Sequence, residues 1–432
     1  MTPESRTLRV DYLARVEGEG ALHLDIEGGR VTRAELAIFE PPRYFEALLR
    51  GRDFRETPDI TARICGICPV AYQMSACQAM EDACGVVLPP QVLDLRRLLY
   101  CGEWIESHGL HVHLLHLPDF LGFPDAVQMA QVHPEAVRRG LRLKKLGNSL
   151  IEVVGGRAIH PVNVRVGGFY RAPASDALRA LLPELDWAIG AAEETVRFVA
   201  GLAFPDFEVD YEFLSLVHPD EYPLYRGRLA SSRGAAWAVA DFADALCERQ
   251  VPHSTALQSV RPDGTPVLLG PLARYVLNRE RLTPRARAAA EVAGLDEGCR
   301  NPYRAIIARA VEILFACEEA RRLIEGYVPF EPAAVAVTPR AGEGHGATEA
   351  PRGTLYHHYR IRDDGLIEHA RIVPPTAVNQ ARIEADLVAL AQTHLHLDDD
   401  GLRALCEQTI RSYDPCISCA THFLKLDIRR QP

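Results

Sequence analysis

Arg63-Ile64-Cys65-Gly66-Ile67-Cys68 and Asp414-Pro415-Cys416-Ile417-Ser418-Cys419 decide how this sequence is read. Each carries two thiols three residues apart, close enough to bind one metal ion from a single turn, and Gly66 permits close backbone approach. Three chemistries use such pairs. A zinc ribbon closes its two pairs over about 15–20 residues, whereas here most of the chain lies between them. A thioredoxin-like redox site needs one CxxC at a strand-to-helix junction and gives the second no role. A shared four-thiolate metal centre employs both, and the spacing favours it while leaving zinc and redox readings open. The chain has 11 cysteines. An odd count without a secretory leader argues against a disulfide framework. The singletons Cys77, Cys84, Cys101, Cys247, Cys299, Cys317 and Cys406 read as buried thiols.

Around the motifs the chain reads as globular. Its 432 residues are 47% hydrophobic and 25% charged, which excludes disordered and collagen-like classes. Lys and Arg number 48 against 58 Asp and Glu, a net charge of −10, with no basic block, so nucleic acid is not an expected partner. No apolar run suffices to span a bilayer, and the N-terminus lacks a signal-peptide core. The expected location is the cytoplasm.

Alternation over Ala21–Ile26 and Val31–Ile38 about Gly28-Gly29 predicts a hairpin. Pro69 suits a first helical position, with a helix over Ala71–Cys84 stopped by Gly85. A long helix is expected from Val92 to Leu117. Further helical patterns cover 134–147, 176–202 with Ser175 as cap, 233–249, 302–326, 380–396 and 401–412. Strand-like pieces fall near 162–170, 208–217, 265–278 and 354–373, the last turning at Asp363-Asp364-Gly365. The stretch Thr338–Gly353 is Gly-rich and aperiodic and reads as a loop. With no repeat and no linker, residues 1–432 read as one intertwined domain.

The two motifs together resemble the RxCGxC and DPCxxC signatures of nickel–iron hydrogenase large subunits, and the likeness extends along the chain. Arg15-Val16-Glu17-Gly18 resembles the family's R-[IV]-E-G, and Arg43-Tyr44-Phe45-Glu46 before Gly51-Arg52-Asp53 its metal-glutamate segment. Glu349-Ala350-Pro351-Arg352-Gly353 is similar to its EAPRG loop, Pro374-Pro375-Thr376 to its PPT segment, and His422 to its terminal histidine. The resemblance implies a mixed α/β (α+β) body, with a central bundle of long helices and small peripheral sheets.

It also implies a role for each matched residue. Cys65 and Cys416 are expected as terminal nickel ligands, and Cys68 and Cys419 as bridges from nickel to iron, soft donors suited to such a centre. The iron's carbonyl and cyanide ligands come from maturation proteins. Pro351, Arg352 and Thr376 are expected to line the cyanide pocket. Dihydrogen is nonpolar and weakly acidic, so splitting it needs an electrophile and a base in contact. The base is the thiolate of Cys416 or the guanidine of Arg352. Asp119 and Asp414 are expected to orient Arg352, and Glu17 to relay the proton from Cys416. Glu46, the Ile372 carbonyl and His422 are implied as ligands of a magnesium or second iron ion. By themselves Glu17 and Glu46 read as solvated glutamates, and Arg352 as a surface charge. His108, His111, His113 and His116 do not share one helical face and read as polar packing near the site and a subunit interface.

Two departures from the family stand out. Tyr72 occupies the position where a histidine often bonds a bridging thiolate; together with Ser107-His108-Gly109 and the following residues, it points to the cytoplasmic NAD(P)-linked bidirectional or sulfhydrogenase classes. Residues 423–432 follow His422 and are expected to be an extension removed by a maturation endopeptidase. None of the singleton cysteines forms a cluster-binding run, so iron–sulfur clusters are expected only in a partner small subunit. No GxGxxG follows a strand, so nicotinamide and flavin belong to diaphorase subunits. Two different readings remain: a metal-free scaffold like a respiratory complex I subunit, which lacks the four thiolates, and a zinc-binding structural protein.

Overall fold

A computed structural model describes residues 6–40 and 44–421. Arg43, His422 and the 423–432 tail lie outside the described residues. The expected hairpin forms as β2 (Gly20–Glu27) and β3 (Arg30–Ile38), with β1 (Arg6–Val10) on the outer side of β2. Gly28 and Gly29 turn it with φ of 59° and 75°, a backbone that side-chain-bearing residues resist. Leu22, Leu24, Ile26, Leu36 and Ile38 are its large buried residues.

Helix α1 (Phe45–Leu49) carries Glu46, and α2 (Pro69–Cys84) starts directly after the first motif. Pro69 takes the first turn, where its missing N–H costs nothing, and Gly85 ends the helix at φ 65°. The buried Glu103 carboxylate accepts the Val70 and Ala71 amides at 2.7 and 3.1 Å, satisfying donors that the helix start leaves over. Glu103 belongs to α3 (Pro90–Leu110), the centre of the helical bundle. The helix expected to run unbroken to Leu117 instead widens into a π-turn over His111–His116, followed by the short Leu117–Leu121 helix. Pro118 accounts for the change. Its ring cannot donate to residue 114 and crowds that carbonyl, so the ladder shifts by one residue.

α4 (Pro134–Gly155) and α7 (Ala305–Glu325) pack on α3, and α5 (Leu182–Ala200) packs on α7. Gly102 and Gly147 allow α3 and α4 to approach, because a Cβ on Gly147 would lie 2.5 Å from the Gly102 carbonyl oxygen. The helix expected from Ser175 onward is two helices, Ser175–Arg179 and α5, and its cap is Ala174. Pro183 is tolerated only in a first turn, so a new helix must begin beside it. Among the described residues no helix is long and apolar enough to cross a membrane.

Three further expectations of helix, strand and loop fail. The 265–278 strand is largely α6 (Pro271–Asn278), entered through Gly270 at φ 110° with Pro271 in its first turn. The 233–249 helix shrinks to Phe242–Ala245 between short strands. The supposed loop 338–353 is mostly β4 (Gly342–Ala350), which pairs with β5 (Gly353–Ile361), itself paired with β6 (Ile367–Val373). β5 and β6 turn at the expected Asp363-Asp364-Gly365. α8 (Pro375–Thr393) and α9 (Asp399–Ser412) then lead to the second motif. That motif reaches the N-terminal segment through a parallel bridge between Glu17 and Cys416.

Candidate metal centre

The four motif sulfurs meet. Cys65, Cys68, Cys416 and Cys419 are 1–3% exposed, and their sulfurs all lie within 4.8 Å of one another. Cys65 Sγ is 3.5 Å from Cys416 Sγ, Cys68 Sγ is 3.8 Å from Cys419 Sγ, and the Cys416 and Cys419 sulfurs are paired. Cys65 and Cys68 come from the turn before α2, Cys416 and Cys419 from the turn after α9. Cys65 Sγ accepts the Ile67 and Cys68 amides, both at 3.3 Å, which favours a thiolate. Hydrogen bonding from Cys68 draws the Cys65 thiol below its usual range, while the same bond and burial push Cys68 up.

The second motif is held from three sides. Asp414 bends the chain at φ 53°, a region few residues other than glycine enter. The Cys416 amide donates to Thr376 Oγ1 at 2.9 Å, at the start of α8. Glu17 Oε2 lies 3.1 Å from Cys416 Sγ and accepts the Ser418 amide, also at 3.1 Å, and the Glu17 carbonyl accepts the Ile417 amide. Glu17 is thus no solvated glutamate but sits against a motif sulfur.

Arg352 occupies the sharp turn between β4 and β5. Its Nε donates to the Asp414 carbonyl at 2.9 Å and its Nη2 to Asp414 Oδ1 at 3.2 Å, while Nη1 is buried without a hydrogen-bond partner. Burial opposes its charge, yet Asp414 and the Cys68 and Cys65 sulfurs hold the guanidinium above its ordinary range. The second carboxylate expected on Arg352 is elsewhere. Asp119 gives both oxygens to Arg411, at 2.8 Å each, and one to Arg15. Pro118 and the π-turn set where that carboxylate emerges, which helical spacing could not anticipate.

The turn bearing Pro351 and Arg352 is fixed from below by a residue with no motif to announce it. Arg274, wholly buried on α6, donates to the Ala350 and Pro351 carbonyls at 2.9 Å. It also pairs with Glu312 at 2.7 Å and Glu349 at 3.1 Å, and lies 4.4 Å from the Trp104 ring. His108 Nε2 stands 2.9 Å from Glu312, and burial holds that imidazole down to about 4, hence neutral. His111 Nε2 is 2.8 Å from the Arg411 carbonyl, His113 meets Thr195, and His116 packs on Phe120. These histidines are core polar groups, as their mixed spacing suggests. The Tyr72 hydroxyl is 3.5 Å from the Cys419 carbonyl.

Glu46 Oε1 accepts the Ile372 amide at 2.7 Å, and burial pushes its carboxyl up to about 8. The expected pair is therefore together, although the contact uses the Ile372 N–H rather than its carbonyl.

Four buried sulfurs suit a soft or borderline transition metal. A closed zinc site would need nothing more, but the buried, unpartnered Arg352 Nη1 and Asp414 Oδ2 need polar partners of their own, as anionic ligands on a metal would supply. The profile described as "Nickel-dependent hydrogenase" matches residues 43–140 and 254–422. This chain belongs to the nickel-dependent hydrogenases. It is 34% identical to the sulfhydrogenase 2 subunit alpha of Pyrococcus furiosus over 97% of this chain and all of that protein. It is 30% identical to the NAD-reducing hydrogenase HoxS subunit beta of Cupriavidus necator, over 97% of this chain and 95% of that one. An NAD+-reducing [NiFe]-hydrogenase chain in the H2-reduced state superposes with a TM-score of 0.87 at 30% identity, covering 96% of this chain and 99% of the other. The Ni-Fe-Se hydrogenase of D. vulgaris Hildenborough shares the fold, with a TM-score of 0.77 at 21% identity. The hydrogenase described here is a large subunit with a four-cysteine nickel–iron site, and its reaction is reversible cleavage of dihydrogen. A complex-I-like scaffold and a zinc-binding structural protein are set aside.

Proposed function

We propose that Cys65 and Cys416 are terminal ligands of nickel, that Cys68 and Cys419 bridge it to iron, and that protons leave by way of Glu17. The observation that carries this reading is the Glu17 carboxylate on the Cys416 sulfur at 3.1 Å. When bound, the nickel–iron pair supplies the electrophile against which dihydrogen is polarised. Cys416 Sγ then holds the proton, and Glu17 Oε2 takes it over, since a carboxylate can rotate and carry one proton at a time. Arg352 stays protonated. Anchored by Asp414, it acts as a fixed donor rather than as the base. Pro351, Arg352 and Thr376 would line the pocket for the iron's cyanide and carbonyl ligands, and Tyr72 supports the Cys419 turn. Asp119 serves the same region at one remove, by ordering Arg411 and Arg15. Glu46, the Ile372 carbonyl and His422 hold a magnesium or second iron ion, which would return the Glu46 carboxyl to its charged form.

Electrons pass to an iron–sulfur small subunit and on, through diaphorase or flavin subunits, to NAD(P), or alternatively to sulfur or polysulfide. The relatives' names support both acceptors. The complex works in the cytoplasm, and its large subunit is one domain over 1–432, from which an endopeptidase removes 423–432 after nickel insertion by maturation proteins. The complex purified from its source tests this. It should contain nickel and iron, show carbonyl and cyanide infrared bands, and reduce NAD+ or NADP+ under hydrogen. Stoichiometric zinc with no nickel would overturn the reading of the site, and sulfur reduction alone the nicotinamide branch.

A further inference from the structure

On the outer face of the β4–β5–β6 sheet stands a second set of metal-ligating side chains, remote from the four sulfurs. Gly344 and Gly346 turn one face of β4 onto α2, so Glu343 and His345 point the other way. His358 on β5 pairs directly with His345 across the ladder and therefore shares that outer face. One ligand atom from each of Glu343, His345 and His358 lies within 4.8 Å of the others. We propose that these three side chains form a binding site for one divalent transition-metal ion of the zinc class, held by two imidazole nitrogens and one carboxylate oxygen.

Two features beyond proximity point to a ligand. His345 Nδ1 is 2.8 Å from the Tyr356 hydroxyl, and Tyr356 is itself stacked on Phe242 at 4.1 Å. Such a bond on one ring nitrogen fixes the imidazole and leaves Nε2 as the coordinating atom. His358 Nε2 is buried, makes no hydrogen bond, and faces Glu343 Oε2 at 3.3 Å. The two rings are stacked, parallel within 4° with centroids 4.4 Å apart, so the His358 ring must turn about its Cβ–Cγ bond for both in-plane lone pairs to meet one ion. Arg360 Nη1 steadies the other Glu343 oxygen at 3.8 Å, and His369 lies beyond His358. Two imidazoles and a carboxylate leave one position for water and suit zinc, cobalt or nickel rather than magnesium. The ion would clamp β4 to β5 five residues, about 17 Å of extended strand, from the Arg352 turn.

Zinc alone, added to the nickel-loaded complex and followed by gel filtration and metal analysis, tests the site. Wild type should retain one zinc per large subunit above the His358→Ala variant, with nickel unchanged. The exposed Glu343→Gln, which spares the fold, should bind zinc at least tenfold more weakly in a competition titration. Equal zinc retention in all three proteins, or zinc gained only as nickel is lost, would overturn the proposal.

Discussion

Glu17 Oε2 accepts the Ser418 amide and rests against Cys416 Sγ, each at 3.1 Å, so its carboxylate is locked in register with the second motif. Glu17→Gln keeps the shape but cannot take up and release a proton. The variant should retain nickel and iron while hydrogen/deuterium exchange falls about 10²-fold or more, the usual worth of a positioned acid–base group. Unchanged exchange would remove Glu17 from the proton route. Arg274 illustrates the opposite kind of residue. Arg274→Met strands Glu312 and Glu349 in the core and releases the Ala350 and Pro351 carbonyls, at a cost of about 3–5 kcal/mol in unfolding free energy. Denaturant melts with little change would contradict that. The cysteines were legible because their spacing is local chemistry, and Glu17 because its neighbours match a motif. Arg274 was not, because an arginine on an amphipathic helix looks like any surface charge until the fold buries it.

β4 was the element least visible in the sequence, and its glycines are the reason. Gly342-Glu343-Gly344-His345-Gly346 alternates as a strand does, with glycine rather than an apolar side chain on the inner face, so hydrophobic periodicity is silent. A Cβ on Gly346 would lie 2.3 Å from the Ser75 carbonyl oxygen, and one on Gly344 2.0 Å from that of Ala79. The strand must therefore lie directly on α2, the helix that follows Cys68. Gly346→Val should destabilise the protein by at least about 1–3 kcal/mol, because backbone rather than a flexible side chain blocks the space. A thermal midpoint equal to wild type would show that the strand stands off the helix. The bundle helices and the first hairpin were legible from period and turn residues, whereas the π-turn and the α6 start depended on what a proline does to its neighbours.

At the scale of the molecule, buried ionisable groups set the response to acid. Burial holds His108 and His113 down to about 4 and 3. Burial works against charge on Glu312 and Glu319 too, but their arginine partners outweigh it and hold both down to about 2. Each binds protons more weakly folded than unfolded, so each contributes stability that is lost as pH falls through its folded value. Carboxyls pushed up, such as Glu46, act in the opposite sense only above about pH 4.5, where the unfolded group ionises. Raised aspartates such as Asp386 act so down to about pH 3.8, and between there and about pH 2 the remaining effects share one sign. The urea midpoint should fall steeply there, and less steeply in Glu319→Gln; parallel slopes would contradict the assignment. The convergence of both chain ends was legible from paired motifs, while the buried charge network beneath them was not, since it joins residues from four separate elements.

Four sulfurs from distant parts of the chain lie within 4.8 Å of one another, spaced to enclose one nickel–iron pair. X-ray absorption at the nickel edge of the purified complex tests it most directly. The spectrum should show a nickel ion surrounded by sulfur with an iron neighbour, and that signal should be lost in Cys65→Ser. Nickel bound only by nitrogen and oxygen, or sulfur-bound nickel with no iron beside it, would contradict it.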